Sequence, residues 1–158
     1  MTREEFTDSV TREQKGLRRF LLALCCGDMS MADDIAQEAF VKAYLSLDKL
    51  RDDARFKAWL YRIAHRTFLT YRRSQCFFED CTAIADTMAA TDAGNDYQPL
   101  YDALAGLPPK ERTAIVLFYM ENYSVKEISQ VVDCSEVAVR QQLSRARDHL
   151  RKLLTTNQ

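Results

Sequence analysis

No stretch of this chain alternates apolar and polar residues as a half-buried strand must, and its 158 residues include only four glycines. Apolar residues recur instead every three or four positions, the period of an amphipathic helix. A chain patterned in this way buries its apolar stripes by stacking helix on helix, so the expected fold class is all-α. Local chemistry sets the break points. Gly27 ends a first helix over residues 4–26, and Asp28 or Ser30 caps a second over residues 31–47. A third helix starts near Asp53. Residues 77–98 are acidic and rich in Ala, Thr and Asp, which is the composition of a flexible linker. Beyond it, a short helix breaks at Gly106, and Pro108 and Pro109 suit the first turn of a helix reaching about residue 121. A short helix over residues 124–132, a turn at Asp133 and Cys134, and a last helix capped by Ser135 complete the chain. The reading is two small helical modules, an N-terminal helical bundle (1–76) and a C-terminal helix-turn-helix (99–158), joined by a flexible acidic linker.

Charge is segregated along this framework. Net charge is −1, but residues 49–75 carry eight Lys or Arg against two Asp. Residues 77–102 carry six acids and no Lys or Arg, and residues 140–152 carry five Lys or Arg against Asp148. Two basic blocks around an acidic one point to a polyanionic partner more strongly than net charge does, although each block also fits a plain solvated helix face. The five cysteines, at 25, 26, 76, 81 and 134, are odd in number and show no CxxC spacing, which argues against disulfides or zinc. Reduced cysteines partly in the core are the expectation, with a redox pair at Cys76 and Cys81 as the lesser alternative. No metal site, cofactor, small-molecule substrate or catalytic constellation is evident, so no enzymatic activity is expected. The chain start has no apolar signal core and no apolar run is long enough to span a bilayer, so a cytoplasmic location is expected.

The segment "SVKEISQVVDCSEVAVRQQLSRARDHLRK" has the layout of a helix-turn-helix. Ile128, Val132, Cys134, Val139 and Leu143 take its apolar contacts. On the last helix, Val139, Leu143, Ala146 and Leu150 form an apolar arc. Opposite it lie Arg140, Gln141, Ser144, Arg145 and Arg147, with Val137 near the tip. Arg and Gln can bond base edges bidentately in a major groove, and the remaining cations can neutralise phosphates.

Two N-terminal segments are also unusual. "DDIAQEAFVKAYLSL" is apolar on several sides, with Gln37 and Glu38 among the stripes. Such a helix is either central in its bundle or docked on a partner. "FKAWLYRIAHRTFLTYRR", residues 56–73, mixes five aromatic rings with five cations. A helical wheel sends Phe56, Trp59, Leu60, Ile63, Ala64, Thr67 and Tyr71 to one arc of about 140°. Tyr61 and Phe68 then fall among Lys57, Arg62, His65, Arg66, Arg72 and Arg73, away from that arc. Rings among cations fit single-stranded nucleic acid, with bases stacked on rings and phosphates on cations. A second helix packed over those rings would produce the same pattern.

Taken together, "ADDIAQEAFVKAY", "FKAWLYRIA" and "LPPKERTAIVLFYMENYSVKEIS…SEVAVRQQLSRARDHLRKLL" resemble an extracytoplasmic-function (ECF) sigma factor. These small bacterial sigma factors keep only the second and fourth conserved regions, and the resemblance covers nearly all of the chain but the linker. It implies an RNA polymerase subunit that directs promoter-specific initiation. The second-region module (1–76) would bind core polymerase and read and melt the minus-ten element. The fourth-region module (99–158) would read the minus-thirty-five element and touch the polymerase flap. By the same resemblance, Asp34, Gln37, Glu38 and Phe40 are candidate core-polymerase contacts. Arg55, Lys57, Tyr61, Arg62, His65, Arg66, Arg72 and Arg73 are candidate minus-ten contacts. Val137, Arg140, Gln141, Ser144, Arg145 and Arg147 are candidate minus-thirty-five contacts. Many family members carry Asn at the place of Arg66, Asp at that of Thr70, and Gly at that of Asp133. The implied partners are core RNA polymerase, promoter DNA and an anti-sigma factor, often membrane-bound in this family.

Each basic face alone would hold DNA weakly. Polymerase fixes both, and the 22-residue tether, with an end-to-end distance of about 25 Å, supplies effective concentration. Without polymerase the tether leaves the modules able to pack on each other or on an inhibitor. A stand-alone helix-turn-helix regulator is the competing reading, but it needs a ligand pocket or dimer seam that the N-terminal module does not announce. A purely protein-binding helical adaptor is a third, opposed by the basic last helix.

Overall fold

The structure is a computed structural model that describes residues 1–78 and 98–156. Its regular elements are helical. Helix α1 spans Arg3–Leu24, α2 Met29–Leu45, α3 Phe56–Phe78, α4 Gln98–Ala105, α5 Pro109–Ile115, α6 Val125–Val132 and α7 Glu136–Thr156. Helical turns at Leu47–Lys49 and Asp53–Arg55 bridge α2 to α3, and a π-helical turn, Val116–Met120, extends α5.

Caps explain most of the boundaries. Thr2 and Glu5 form a reciprocal capping box on α1, as Ser124 and Glu127 do on α6. Asp28, not Ser30, caps α2 by accepting from the Met31 amide at 3.1 Å. Helix α1 stops at Leu24, two residues before the expected end, because Cys26 (φ 55°) and Gly27 (φ 92°) turn left-handed. Asp133 ends α6 in the left-handed region, φ 60° and ψ 48°, and the Ser135 hydroxyl caps α7 by accepting from the Ala138 amide. Helix α3 runs to Phe78, past the expected module end, and α4 begins at Gln98. The rest of the expected linker, including Cys81, lies outside the described residues, as does the side chain of Cys76.

The two helical groups do not stand apart. Helices α1, α2 and α3 pack on one another, α5 and α6 pack on α7, and α3 lies against α6 while α1 meets α4, α5 and the π-helical turn. One hydrophobic core therefore runs from Phe6 through Phe20, Leu60 and Tyr61 to Leu117, Ile128 and Leu143. Arg112 ties the groups from within. Its buried guanidinium donates to the carbonyls of Leu104 (2.9 Å) and Leu107 (3.1 Å) in its own group and to Leu24 (2.9 Å) at the end of α1. A charged donor bonded to three carbonyls at helix ends and turns offsets the cost of its own burial.

Candidate nucleic-acid interface

Helix α2 has a small inner side and a large outer side. Its buried residues are Ala32, Ile35, Ala36, Ala39 and Ala43. Four alanines allow close approach to α1 and α3, while Val41, Tyr44 and Leu45 point out, Leu45 being 72% exposed. Phe40 is half-buried beneath the Arg18 guanidinium, 5.9 Å from its ring centroid. Asp34, Gln37 and Glu38 are exposed, and Glu38 pairs with Lys42 at 3.3 Å. The helix is thus not central in the bundle. Its outer side is an uncovered apolar strip with acids and an amide beside it, the composition of a docking face.

The basic face of α3 is differently placed. Arg55, Lys57, Arg66 and Arg73 are exposed and Arg62 and Arg72 half-buried, but Tyr61, His65 and Phe68 are buried. These three share one side of the helix, at spacings of four and three residues. Tyr61 stacks between Phe20 (5.1 Å between centroids) and Tyr123 (5.2 Å), and its hydroxyl donates to Glu121 at 3.2 Å. Glu121, almost fully buried, also accepts two bonds from Arg19, at 3.0 and 3.1 Å. The i→i−5 bond from the Glu121 amide to the Val116 carbonyl ends the π-helical turn and sets Glu121 and Tyr123 against α1 and α3. At the rim, Lys57 lies 5.2 Å from the Tyr123 ring, and Arg62 and Arg66 reach Asp133 at 3.3 and 3.5 Å. The expectation that Tyr61 and Phe68 lie open among the cations is corrected: the side of α3 that bears them packs under the C-terminal helices. Burial and the neighbouring Arg66 charge push the His65 pKa down to about 4, so the ring is neutral at pH 7.

The C-terminal face is open. Ile128, Val131, Val139, Leu143 and Ala146 are buried in the helix-turn-helix, and Val132 and Cys134 are half-buried against them, so the expected apolar contacts are made. Arg140, Gln141, Ser144 and Arg145 project from α7 into solvent, and Val137 at its tip is 61% exposed. Arg147 is exposed but turned back, donating to the Tyr119 hydroxyl at 2.8 Å and lying over the Phe118 and Tyr119 rings. His149 and Glu111 join α7 to α5 at 2.6 Å. Beside Arg147 and Arg151 an apolar cleft of about 530 Å³ opens between α4, α5 and the end of α7, lined by Leu100, Leu104, Ile115, Tyr119, Leu150 and Leu154.

Comparison with known proteins decides the family. Residues 10–76 match Sigma-70 region 2 and residues 97–150 match Sigma-70, region 4. The ECF RNA polymerase sigma factor SigW of Bacillus subtilis (strain 168) is 31% identical over 147 residues, covering 81% of this chain and 78% of SigW. The chain belongs to the ECF sigma factors. The RNA polymerase sigma-H factor of Pseudomonas aeruginosa is 30% identical over 185 residues, covering 98% of this chain and 96% of its own. Among solved structures, the sigma factor RpoE of Bartonella quintana, in complex with the anti-sigma factor NepR, aligns with TM-score 0.78 at 22% identity over 98% of this chain and 99% of that one. CnrH, in complex with the cytosolic domain of CnrY, aligns with TM-score 0.73 at 25% identity, covering 97% and 89%.

As a sigma factor, the chain directs RNA polymerase to promoter-specific initiation, and the stand-alone regulator is set aside. No helix among the described residues is long and apolar enough to cross a membrane, and none of their His, Cys, Asp and Glu residues group in a way that could hold a metal ion. Sequence reasoning missed Arg19, Arg112, Glu121 and Asp133 as the polar residues that join the two halves of this sigma factor. Arg19–Glu121 and Arg112–Leu24 are 102 and 88 residues apart, a separation no periodicity reports. The one local signal was a carboxylate, Glu121, at the end of the apolar run "AIVLFYM".

Proposed function

We propose that this sigma factor docks on core RNA polymerase through the outer side of α2, with Val41 and Leu45 as apolar anchors and Asp34, Gln37, Glu38 and Phe40 around them. The second-region module, residues 1–76, presents Arg55, Lys57, Tyr61, Arg62, His65, Arg66, Arg72 and Arg73 to minus-ten DNA once its α3 face is free. The fourth-region module, residues 99–158, reads minus-thirty-five bases with Arg140, Gln141, Ser144 and Arg145. Val137 adds an apolar contact at the tip of α7, and Arg147 serves phosphates after releasing Tyr119. The apolar cleft beside Arg147 is a seat for the polymerase flap. An anti-sigma factor is the further partner proposed here, in keeping with the complex of CnrH with the cytosolic domain of CnrY. The chain works in the cytoplasm as a non-enzymatic initiation factor.

The observation that carries this reading is the inverted α2, small inside and large outside. An uncovered apolar strip of this kind marks a protein-docking surface, and in a sigma factor core polymerase is the partner that such a surface fits. The test is run-off transcription with core polymerase and a promoter pool, using the parent chain and a Val41→Asp, Leu45→Asp variant. The parent should give discrete transcripts. The variant should melt at the same temperature yet lose about tenfold or more of the output. Equal output from both would overturn the α2 assignment.

A further inference from the structure

The cleft between α4, α5 and the end of α7 is apolar in its walls and cationic at one edge. Leu104 and Ile115 are buried at its base, and Leu100, Tyr119 and Leu154 stand exposed around it. The described residues that line it include no acid, and their only charges are Arg147 and Arg151, one turn apart on α7. No carboxylate among the described residues pairs with either guanidinium.

Arg147 is nevertheless held in place. Its Nε donates to the Tyr119 hydroxyl at 2.8 Å, and the guanidinium lies over the Phe118 and Tyr119 rings, 5.7 and 5.6 Å from their centroids. Both terminal amino groups are left without an acceptor among the described residues. A planar guanidinium pinned along one edge and open at its end is preorganised for a carboxylate, which can take two parallel N–H bonds from it. Apolar walls with a few convergent polar groups, in a volume of about 530 Å³, are the makings of a small-molecule site.

We propose that this cleft binds a free acyl carboxylate, its alkyl chain among Leu100, Ile115, Leu150 and Leu154 and its head group on Arg147 and Arg151. The two halves of the cleft narrow the ligand class. A small anion would leave the apolar walls wet, and a neutral chain would leave two cations without a partner at the edge. A chain of roughly ten to twelve carbons suits a site of this size. The consequence for initiation rests on the reading of the cleft as the flap seat: a cleft filled by the ligand is closed to the flap.

The experiment titrates the full chain with dodecanoate, well below the concentration at which it forms micelles, by isothermal titration calorimetry. Binding should saturate at one site, and decanoate should bind about tenfold more weakly because it buries two fewer methylenes. Dodecanol and the Arg147→Gln or Arg151→Gln variants should each lose about three- to tenfold in affinity, and less in low-charge contrast controls such as Lys15→Gln, at an exposed position of α1, where no loss is expected. Arg151→Gln is the cleaner variant, because the Arg151 side chain makes no contact that its loss could disturb. Dodecanol binding as tightly as dodecanoate, or Arg151→Gln binding as tightly as Lys15→Gln, overturns the site. Tighter, Arg151-dependent binding to phosphatidylglycerol vesicles than to free dodecanoate overturns it in favour of a lipid surface. In run-off transcription with core polymerase, dodecanoate should lower output where dodecanol does not. Saturable binding with output unchanged overturns the flap seat and leaves the ligand site standing.

Discussion

Helices α3 and α7 are both basic, both amphipathic and both proposed to meet DNA, yet one is covered and the other is free. On α7 the polar side chains Arg140, Gln141, Ser144 and Arg145 are exposed, while Val139, Leu143 and Ala146 on the opposite side are buried against its own module. On α3 two sides are apolar. One packs on α1 and α2, and the other, bearing Tyr61, His65 and Phe68, packs under the C-terminal helices. The difference teaches that a basic helix is a standing nucleic-acid surface only when its apolar content is satisfied within its own module. On α3 the surplus apolar side is covered, along a seam between the modules, by the other half of the same chain.

Acid should break the comparison most strongly. The folded His65 pKa, about 4, lies below its unfolded value of 6.5. The neutral ring therefore costs nothing above pH 6.5. Below it the unfolded chain takes the proton first, and stability falls with pH until about 4. The full loss is about 3 kcal/mol. Urea unfolding at pH 7 and pH 4.5 should show it, and a His65→Gln variant should show a shallower slope.

Removing the carboxylate in the seam comes next. Glu121→Ala leaves the Tyr61 hydroxyl without its acceptor in a buried place and should lower unfolding stability by about 2 kcal/mol. Ser144→Ala on α7 should leave stability within about 0.5 kcal/mol of the parent. A Glu121→Ala effect as small as that of Ser144→Ala would mean that the two helices are equally uncovered.

On α7 the loss should appear in binding alone. Arg140→Ala or Arg145→Ala should each cost about 1–2 kcal/mol in holoenzyme affinity for promoter DNA, with thermal stability unchanged. The smallest effect belongs to the rim of the seam. Arg62→Ala or Arg66→Ala should change unfolding stability by less than about 1 kcal/mol, and less again in high salt, because the pairs with Asp133 are solvated.

Much of this was legible in the sequence because it rests on chemistry within a few residues. Asp28, Ser124 and Ser135 announce helix starts, Asp133 announces a turn, and the single apolar arc of α7 tells which side chains stay outside. Helix α2 was legible only as an anomaly. Its resolution was present in the letters, since alanines occupy 32, 36, 39 and 43 while Phe40, Val41, Tyr44 and Leu45 hold the bulk. A stripe of small residues marks the side where neighbouring helices come close. The cover on α3 was not legible. Periodicity assigns Tyr61 and Phe68 to a side of the helix but says nothing of what lies on it, and rings among cations describe a nucleic-acid platform and a packing seam equally well. Glu121 and Arg112 find their partners only through the tertiary fold.

The central claim is that the free sigma factor is closed over its α3 face, and small-angle X-ray scattering of the free chain at low salt tests it most directly. A closed chain of this length should give a radius of gyration of about 15–17 Å and a single-peaked distance distribution. A value of about 20 Å or more, with a second peak from two separated modules, would contradict it.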